Sequence, residues 1–313
     1  MSRISRSDRP RAALLRWLPL GLVLGLVGIV VPDSAYVEPP AALVRVASDD
    51  GRAVGIAHDP AVTWILAIGS DARPGQPVLR SRADAIQLVG INARTGTAAA
   101  LGIPRDSYVA IPGYGRNRVN AALTFGGPQL MARTVAGMTG VRPDYVMVTS
   151  FGGFERMVDA IGGITVNSRY AFSDVVRPRG YRVGKNRLNG LQAHVFARLR
   201  KPFPRGDFDR SANQQRAMFG ILREIRSKKD RRGFLERGTL AAIRNLSTDL
   251  GPVEAYRLAH AVAQVRPGRV RTCVLRGGTG MAGAASVVFP DLAQAQRFGR
   301  RAGRDARLEG GCG

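Results

Sequence analysis

The apolar run Thr63-Trp64-Ile65-Leu66-Ala67-Ile68 has the length of a β-strand and decides how the rest of the chain is interpreted. Two similar runs follow at residues 84–91 and 97–103, joined by the turn-like sequence Asn92-Ala93-Arg94-Thr95-Gly96. If each run forms one strand, the three strands make an antiparallel meander. Later strand-like runs alternate with stretches of helical spacing, which predicts an α/β sheet layered by helices.

The chain is strongly basic. Its 313 residues include 47 Lys and Arg against 23 Asp and Glu, a formal net charge of +24 at pH 7, and only four of the cations are Lys. Arginine favours planar partners such as carboxylate and phosphate. The charge therefore predicts an anionic partner and leaves open nucleic acid, an acidic membrane surface or a phosphorylated substrate. A base bias of the genome would also produce an excess of Arg.

The N-terminus has the pattern of a membrane anchor. Residues 1–16 carry five Arg and one Asp, and residues 17–31, with the apolar character already starting at Ala12, contain no charge. This predicts one transmembrane helix with a cytoplasmic N-terminus and an extracellular remainder. The alternative is a cleaved signal peptide, although no convincing cleavage site follows. With either an anchor or a signal peptide the rest of the chain lies outside the cytoplasm, so nucleic acid is not an expected partner. An extracytoplasmic location also permits a disulfide between Cys273 and Cys312, the alternative being two buried thiols.

The remaining organisation follows from composition. Residues 32–60 contain four prolines with little periodicity, which predicts a linker. Residues 61–227 hold most of the strand and helix signals and form the predicted domain core. Residues 228–313 are expected to complete the domain, with the run 270–275 adding a strand and the charged stretch 300–313 fraying at the end.

Charged residues follow or precede each strand of the meander. Because an antiparallel meander brings the relevant strand ends to one edge, Asp71 with Arg73, Arg82 with Asp84, and Arg105 with Asp106 are expected to meet there. Acidic groups among Arg suit a Mg²⁺ ion, which takes one or two carboxylates and completes its shell with water and phosphate oxygens. The alternative is a set of strand-end ion pairs that serve solubility.

A second basic group lies further along the chain. Arg198 and Arg200 are expected to diverge unless the helix unwinds there, and Arg210 and Gln214 share one face of the next helix, where Asp209 is placed to cap it. Residues 177–237 contain 18 cations and five acids, a net +13. The three His residues are widely scattered, so a His-based metal site or base is not predicted, and His194 is expected either to be a packing residue or to support a site residue.

An ordered series of short motifs strongly resembles the LytR-CpsA-Psr family of cell-wall phosphotransferases. It includes Gly69-Ser70-Asp71-Ala72-Arg73, Arg82-Ala83-Asp84, Gly102-Ile103-Pro104-Arg105-Asp106, Leu188-Asn189-Gly190, Arg198-Leu199-Arg200-Lys201 and Gly206-Asp207-Phe208. The resemblance covers about residues 62–226. It implies a three-layer α/β/α sandwich with a central mixed sheet that transfers a glycan with one phosphate from a polyprenyl-pyrophosphate carrier to peptidoglycan, with pyrophosphatase action as a side activity.

The resemblance also implies roles for individual residues. Asp71 and Asp84 would hold Mg²⁺ or Mn²⁺, and the pyrophosphate would be bound by the residues Arg82, Arg105, Arg198, Arg200 and Arg210, supported by Gln214 and Asp207. The four residues Arg82, Arg105, Arg198 and Arg200 would act in catalysis, and Asp106 or Asp71 would assist deprotonation of the acceptor. This chain departs from the family pattern at Ala83 and Ala85, which replace two hydroxyl residues, and at Asn213, which replaces an Arg.

Two other functions remain open at this stage. The first is a carrier protein that binds the lipid-linked glycan with little turnover. The second is a membrane-bound transcriptional regulator, which requires the domain to face the cytoplasm, against the predicted topology.

Overall fold

The structure, a computed structural model, describes residues 41–46, 62–237, 239 and 247–309. The predicted anchor over residues 17–31, most of the linker and Cys312 lie outside these residues. Among the helices of the described part, none has both the length and the hydropathy needed to cross a bilayer.

The described residues form thirteen strands, numbered in chain order: β1 (Ala41–Arg45), β2 (Val62–Ser70), β3 (Ala83–Asn92), β4 (Thr97–Gly102), β5 (Tyr108–Ile111), β6 (Gly115–Arg118), β7 (Tyr145–Thr149), β8 (Ile164–Ser168), β9 (Gly184–Leu188), β10 (Ser247–Thr248), β11 (Val270–Val274), β12 (Gly277–Ala282) and β13 (Ala285–Pro290). The α-helices used below are α1 (Ala121–Thr139), α2 (Phe151–Ala160), α3 (Gly190–Arg198), α4 (Asp207–Lys228), α5 (Pro252–Gln264) and α6 (Leu292–Ala302).

A seven-stranded sheet organises the fold, in the order β10-β1-β7-β2-β3-β4-β11. β2 runs antiparallel to β3, and β3 antiparallel to β4, so the meander predicted from the three apolar runs is confirmed. The pairs β10–β1, β7–β2 and β4–β11 are parallel, which makes the sheet mixed as expected. The run 270–275 forms β11 and completes one edge of the sheet, also as predicted.

The two faces of the sheet pack differently. Along β2 the burial alternates with the pleat, and Trp64, Leu66 and Ile68 are almost fully buried. These side chains belong to the main core, together with residues of α1 such as Leu130 and with Phe298 of α6. The opposite face of the sheet contacts α4 and α5. The sheet is therefore covered by helices on both faces.

Three two-stranded hairpins flank the sheet: β5 with β6, β8 with β9, and β12 with β13. The β8–β9 hairpin packs against α3 and α4 through a second apolar cluster that includes Ile164, Leu188 and Phe196. Because α3 and α4 carry the second basic group of the sequence, this cluster fixes that group relative to the sheet.

Two sequence expectations about chain ends differ from the structure. The segment assigned to a linker contains β1, which lies inside the sheet between β10 and β7. The expected fraying is wrong for residues 300–309, because Ala306 and Leu308 are buried and Trp64 Nε1 donates a 3.1 Å hydrogen bond to the Gly303 carbonyl. Charged neighbours on both sides, Asp305, Arg307 and Glu309, conceal these two apolar residues in the sequence. Cys273 of β11 is buried and disulfide-bonded.

Candidate functional site

The ends of the meander strands meet at one edge of the sheet, as the sequence predicts. A register shift between β2 and β3 leaves Asp84 as the extra residue, because Gly69 pairs with Ala85 and Ser70 with Ala83. Such a β-bulge redirects the side chain it carries. Beside it, Arg82 donates from its backbone N and from Nε to the two carboxylate oxygens of Asp71, each over 3.0 Å. The Arg82 side chain remains largely exposed, at 68%.

The loop after β4 completes this edge. Arg105 forms an ion pair with Asp84, and its Nε lies 3.7 Å from Asp106 Oδ1. Arg118 of β6 approaches the same Asp106 oxygen to 3.9 Å. Sequence reasoning missed Arg118, because only the pairing of β5 with β6 returns it to the Arg105–Asp106 loop.

The second basic group joins the first. α3 ends at Arg198, and the following Leu199 is extended, so the helix unwinds between Arg198 and Arg200. Arg200 then lies between the two groups, with Nη1 4.0 Å from Asp106 Oδ2 and Nε 3.3 Å from Asp207 Oδ1. Arg210 on α4 contacts the same Asp207 oxygen over 2.5 Å. Residues about 100 positions apart in sequence thus form one ion-pair network.

Arg210 is the most deeply buried arginine of this network, at 3% exposure. Burial lowers the pKa of its guanidinium to about 10, Asp207 and Asp84 oppose that effect, and the nearby Arg200 and Arg105 add to it. Four arginines, Arg105, Arg118, Arg200 and Arg210, face three aspartates, Asp84, Asp106 and Asp207. The network therefore carries one uncompensated positive charge.

Several donors of the network have no acceptor. Arg105 Nε, Arg200 Nη2 and Arg210 Nε are buried without a hydrogen-bond partner, and the Asp207 carboxylate makes ion pairs without hydrogen-bond geometry. Unpaired buried polar atoms are costly and uncommon in native proteins. Three unpaired guanidinium donors in a positively charged network suit a ligand that offers several anionic oxygens.

The two carboxylates at the sheet edge are the metal ligands expected from the sequence. The described residues contain no group of three or more His, Cys, Asp or Glu side chains suited to hold a metal ion. Asp71 and Asp84 lie at the paired ends of neighbouring strands, each engaged by an arginine. This donor set fits a Mg²⁺ ion that draws its remaining ligands from water and phosphate, and it does not fit an ion enclosed by protein alone.

An apolar cavity of about 380 Å³ adjoins the network. Its wall on the sheet side comes from the face opposite Trp64 and Leu66, and its wall on the helix side comes from α2, α3, α4 and α5. The apolar residues Ile65, Ala67, Val89, Ala98, Ala100, Met218, Leu222 and Val262 line it. Polar and charged lining residues include Asp84, Gln87, His194, Arg198 and Gln214. The arrangement suits a ligand with an anionic head and a long hydrocarbon tail.

The polar residues along the cavity are held by specific contacts. Arg198 lies over the Phe151 ring, with its guanidinium carbon 5.1 Å from the ring centroid. Gln214 Nε2 donates to the Asp84 carbonyl over 3.4 Å and its Oε1 accepts from buried Gln87 over 3.3 Å. Gln87 stood within an apolar run in the sequence, and that interruption was the signal that could have identified it.

A close approach of α4 to the sheet places Arg210 and Gln214 here. A Cβ added at Gly102, at the end of β4, would lie 2.6 Å from Ser211 Oγ on α4. Only glycine leaves room for the helix at that distance. Asp209, expected to cap α4, instead accepts from Arg205 Nη2 over 2.7 Å. The helix begins after Gly206, which has a positive φ of 48°.

The sequence model of the LytR_cpsA_psr family matches residues 45–302. The polyisoprenyl-teichoic acid–peptidoglycan teichoic acid transferase TagU of Bacillus subtilis is 38% identical over 161 residues, which are 50% of this chain and 50% of TagU. The chain spans about half the length of the curated relatives it matches.

Solved structures share the fold. The crystal structure of B. subtilis TagU has a TM-score of 0.60 and 26% identity, covering 79% of this chain and 98% of that chain. The LytR-CPS2A-psr family protein YwtF (TagT), solved with bound octaprenyl pyrophosphate lipid, has a TM-score of 0.61 and 23% identity, covering 82% and 96%. At 23% identity, the similarity to YwtF (TagT) shows a shared fold alone.

Proposed function

Because this chain belongs to the LytR_cpsA_psr family, we propose that it is an extracytoplasmic phosphotransferase. It moves a glycan with one phosphate from a polyprenyl-pyrophosphate carrier onto peptidoglycan. The similarity to a teichoic acid transferase supports this class of reaction. The observation that carries the proposal is the junction of two features: unpaired arginine donors of Arg105, Arg200 and Arg210 beside an apolar cavity. A polyprenyl pyrophosphate has the complementary shape and charge.

Each arginine of the network then has a task in the transfer. Arg105, Arg200 and Arg210 donate to the pyrophosphate oxygens and stabilise the negative charge that grows as the bond to the leaving phosphate breaks. A peptidoglycan hydroxyl attacks the glycan-side phosphorus in line, and the polyprenyl phosphate leaves with its tail in the cavity. Arg82, which is exposed and held by Asp71, binds the outer part of the pyrophosphate, and Arg198 and Gln214 lie where the head meets the tail.

Asp71 and Asp84 are the residues that would hold Mg²⁺ or Mn²⁺. The ion, when bound, would supply positive charge to the phosphate oxygens. Both carboxylates are accessible enough for this role because neither is fully buried, with side-chain exposures of 20% and 13%. Asp106, contacted by Arg105, Arg118 and Arg200, would assist deprotonation of the acceptor hydroxyl.

The proposal includes a location. Residues 17–31 would anchor the chain in the cell membrane with residues 1–16 in the cytoplasm, so the domain meets both the lipid carrier and the wall outside the cell. The partners are the polyprenyl-linked glycan, peptidoglycan and the membrane.

The test uses the full chain in detergent with Mg²⁺, peptidoglycan and a radiolabelled polyprenyl-pyrophosphate-linked glycan. The wild type is expected to leave label covalently on peptidoglycan, whereas Arg105→Ala and Arg200→Ala are expected to lose transfer while keeping wild-type circular dichroism and melting temperature. Near-normal turnover by both variants contradicts the proposal. Retention of intact lipid without any transfer by the wild type would identify a carrier protein instead.

A second variant tests the cavity. Ala100→Trp introduces a large ring from β4 into the apolar cavity. It is expected to weaken binding of a long-chain polyprenyl pyrophosphate at least tenfold, because part of the lipid tail loses its apolar contact with the cavity wall. Binding of inorganic pyrophosphate serves as the control, because the head-group residues are unchanged. Equal loss for both ligands would show that the variant disturbs the whole site.

A further inference from the structure

A partly buried His–Glu pair lies beside the cavity. His194 on α3 and Glu155 on α2 are 39 positions apart, and His194 Nδ1 lies 2.7 Å from Glu155 Oε1. The close packing of the two helices depends on Gly190, where a Cβ would lie 2.2 Å from the Glu155 carbonyl oxygen. A carboxylate only accepts hydrogen bonds, so Nδ1 carries the hydrogen and donates it. The other ring nitrogen, Nε2, is therefore the one available to a ligand.

The position of His194 is fixed on several sides. Its side chain is 12% exposed, its ring stacks on Phe151 with centroids 4.5 Å apart, and Arg198 lies over the same Phe151 ring. His194 lines the apolar cavity, and its Nε2 is buried without a hydrogen-bond partner. An orphaned nitrogen on an oriented imidazole is a binding group that lacks its partner.

We propose that His194, oriented by Glu155, binds the phosphate that is attached directly to the polyprenyl chain. This inference rests on the proposed function, since it takes the cavity as the site of the lipid tail. His194 lies one helical turn before Arg198, about 5–6 Å away along the helix face. A ligand whose head reaches the arginine network and whose tail fills the cavity places its lipid-side phosphate beside this turn.

The charge of the imidazole follows from its surroundings. Burial lowers the pKa of His194, and the hydrogen bond and charge of Glu155 partly oppose that effect. The other charged groups that act on it are Arg198 of its own helix, which lowers the pKa, and Asp84 of β3, which raises it. The free protein therefore holds a neutral ring at neutral pH. Phosphate oxygens accept hydrogen bonds and do not donate them, so binding requires that Nε2 take up a proton.

The same hydrogen bond strengthens during transfer. The acceptor hydroxyl oxygen bonds to the glycan-side phosphorus, and the bond from that phosphorus to the bridging oxygen breaks. The electron pair remains on the bridging oxygen, which becomes a terminal oxygen of polyprenyl phosphate, and the hydroxyl proton passes by way of Asp106 to solvent. The lipid phosphate thereby changes from one negative charge to two. A cationic imidazole beside it stabilises the transition state more than the ground state.

The experiment measures proton uptake on binding. The probe is farnesyl-pyrophosphoryl-N-acetylglucosamine. Each of its two phosphates carries one ester bond and the shared anhydride bond, so neither has the pKa near 6 of a phosphate monoester. Calorimetric titration of the full chain in detergent at pH 7.5, in two buffers with different ionisation enthalpies, counts the protons. The variants are His194→Gln, which supplies an uncharged donor, His194→Leu, which supplies none, and Glu155→Gln, which keeps an acceptor for Nδ1 without its charge.

The wild type is expected to take up a large fraction of one proton per ligand and to bind severalfold more tightly at pH 6 than at pH 8. The gain in affinity is at most tenfold for each unit by which binding raises the pKa of the His194 ring. His194→Gln is expected to bind without uptake and with an affinity independent of pH, and Glu155→Gln with reduced uptake. His194→Leu is expected to bind at least fivefold more weakly at pH 6 with an unchanged melting temperature.

Two results overturn the inference while leaving the proposed function intact. One is wild-type binding without proton uptake. The other is uptake and pH dependence that persist in both His194→Gln and His194→Leu, which would assign the proton to another group. A wild-type chain that does not bind the probe at any pH would instead contradict the proposed function itself.

Discussion

Arg210→Met is expected to stabilise the protein while removing its affinity for the anionic head group. Burial lowers the pKa of Arg210 by more than two units from its ordinary range, to about 10, in spite of its contact with Asp207. Since one pKa unit corresponds to about 1.4 kcal/mol, the charged side chain costs the folded state about 3 kcal/mol. The guanidinium is charged in both the folded and the unfolded chain at every pH below about 10, so the whole cost is present at pH 7.

The replacement leaves no new unpaired charge. Met has similar length and adapts to irregular space. Asp207 keeps Arg200 at 3.3 Å, and the network then contains three arginines and three aspartates. We therefore expect the free energy of unfolding to rise by about 2–3 kcal/mol, which raises the melting temperature by roughly 5–10 °C in a domain of this size. Stability gained by removing a binding residue is a common trade-off with function.

The assay is thermal unfolding at pH 7, followed by circular dichroism, with and without inorganic pyrophosphate. Pyrophosphate should raise the melting temperature of the wild type and have little effect on Arg210→Met, because ligand stabilisation requires affinity. The matched control is Arg223→Met on the same helix, where the exposed guanidinium stacks 4.4 Å from the Phe219 ring centroid and should contribute less than about 1 kcal/mol. A melting temperature of Arg210→Met at or below that of the wild type would refute the reasoning.

Three further substitutions test other parts of the fold. Burial raises the pKa of Asp209, but hydrogen bonds from Arg205 outweigh this and hold the pKa below its usual value. The stabilising effect of the Asp209 carboxylate is present above its pKa in the unfolded chain and is lost as the pH falls through its lower pKa in the folded chain. Asp209→Asn should therefore lower the free energy of unfolding by about 2–3 kcal/mol at pH 7 and leave it unchanged in strong acid, as measured by urea unfolding. Equal stability of variant and wild type at pH 7 would argue against the ion pair. Gly299→Ala places a Cβ 1.8 Å from the Thr139 carbonyl oxygen and should destabilise by at least about 2 kcal/mol in the same assay. Gly137→Ala, with nothing within 4 Å of the new Cβ, should stabilise its helix by up to about 1 kcal/mol. Similar changes in stability for Gly299→Ala and Gly137→Ala would contradict the argument that the Gly299 Cβ clashes with Thr139.

The central sheet was predictable where its pattern is local. β2, β3 and β4 follow one another with short connections, so apolar runs and one turn sequence were enough to predict their antiparallel pairing. The convergence of Asp71, Asp84 and Arg105 then followed from the direction of the strands. The bulge at Asp84 was not predictable, because it depends on a register shift that no residue of the apolar run indicates.

The non-local parts required the structure. β1 pairs with β7 and β10, about 100 and 200 positions away, and its five residues resemble any short apolar stretch in a proline-containing segment. The ion pair between Arg200 and Asp106 is also non-local, since it depends on where α3 ends and on the packing of the β8–β9 hairpin. His194 was expected either to be a packing residue or to support a site residue. Its contact with Glu155 comes from the packing of one helix against another, which sequence spacing does not encode.

The position of β1 has a consequence for mechanics and for truncation. Ala41–Arg45 pairs on both sides, antiparallel to β7 and parallel to β10, so a pull on the chain from the N-terminal direction must break two hydrogen-bond ladders together. A shortened chain that begins after Arg45 would lose an interior strand, separate β10 from the sheet and leave the β7 edge open to pairing with other molecules. The load-resisting part of the described chain therefore includes Ala41–Arg45, upstream of every residue proposed to bind the ligand.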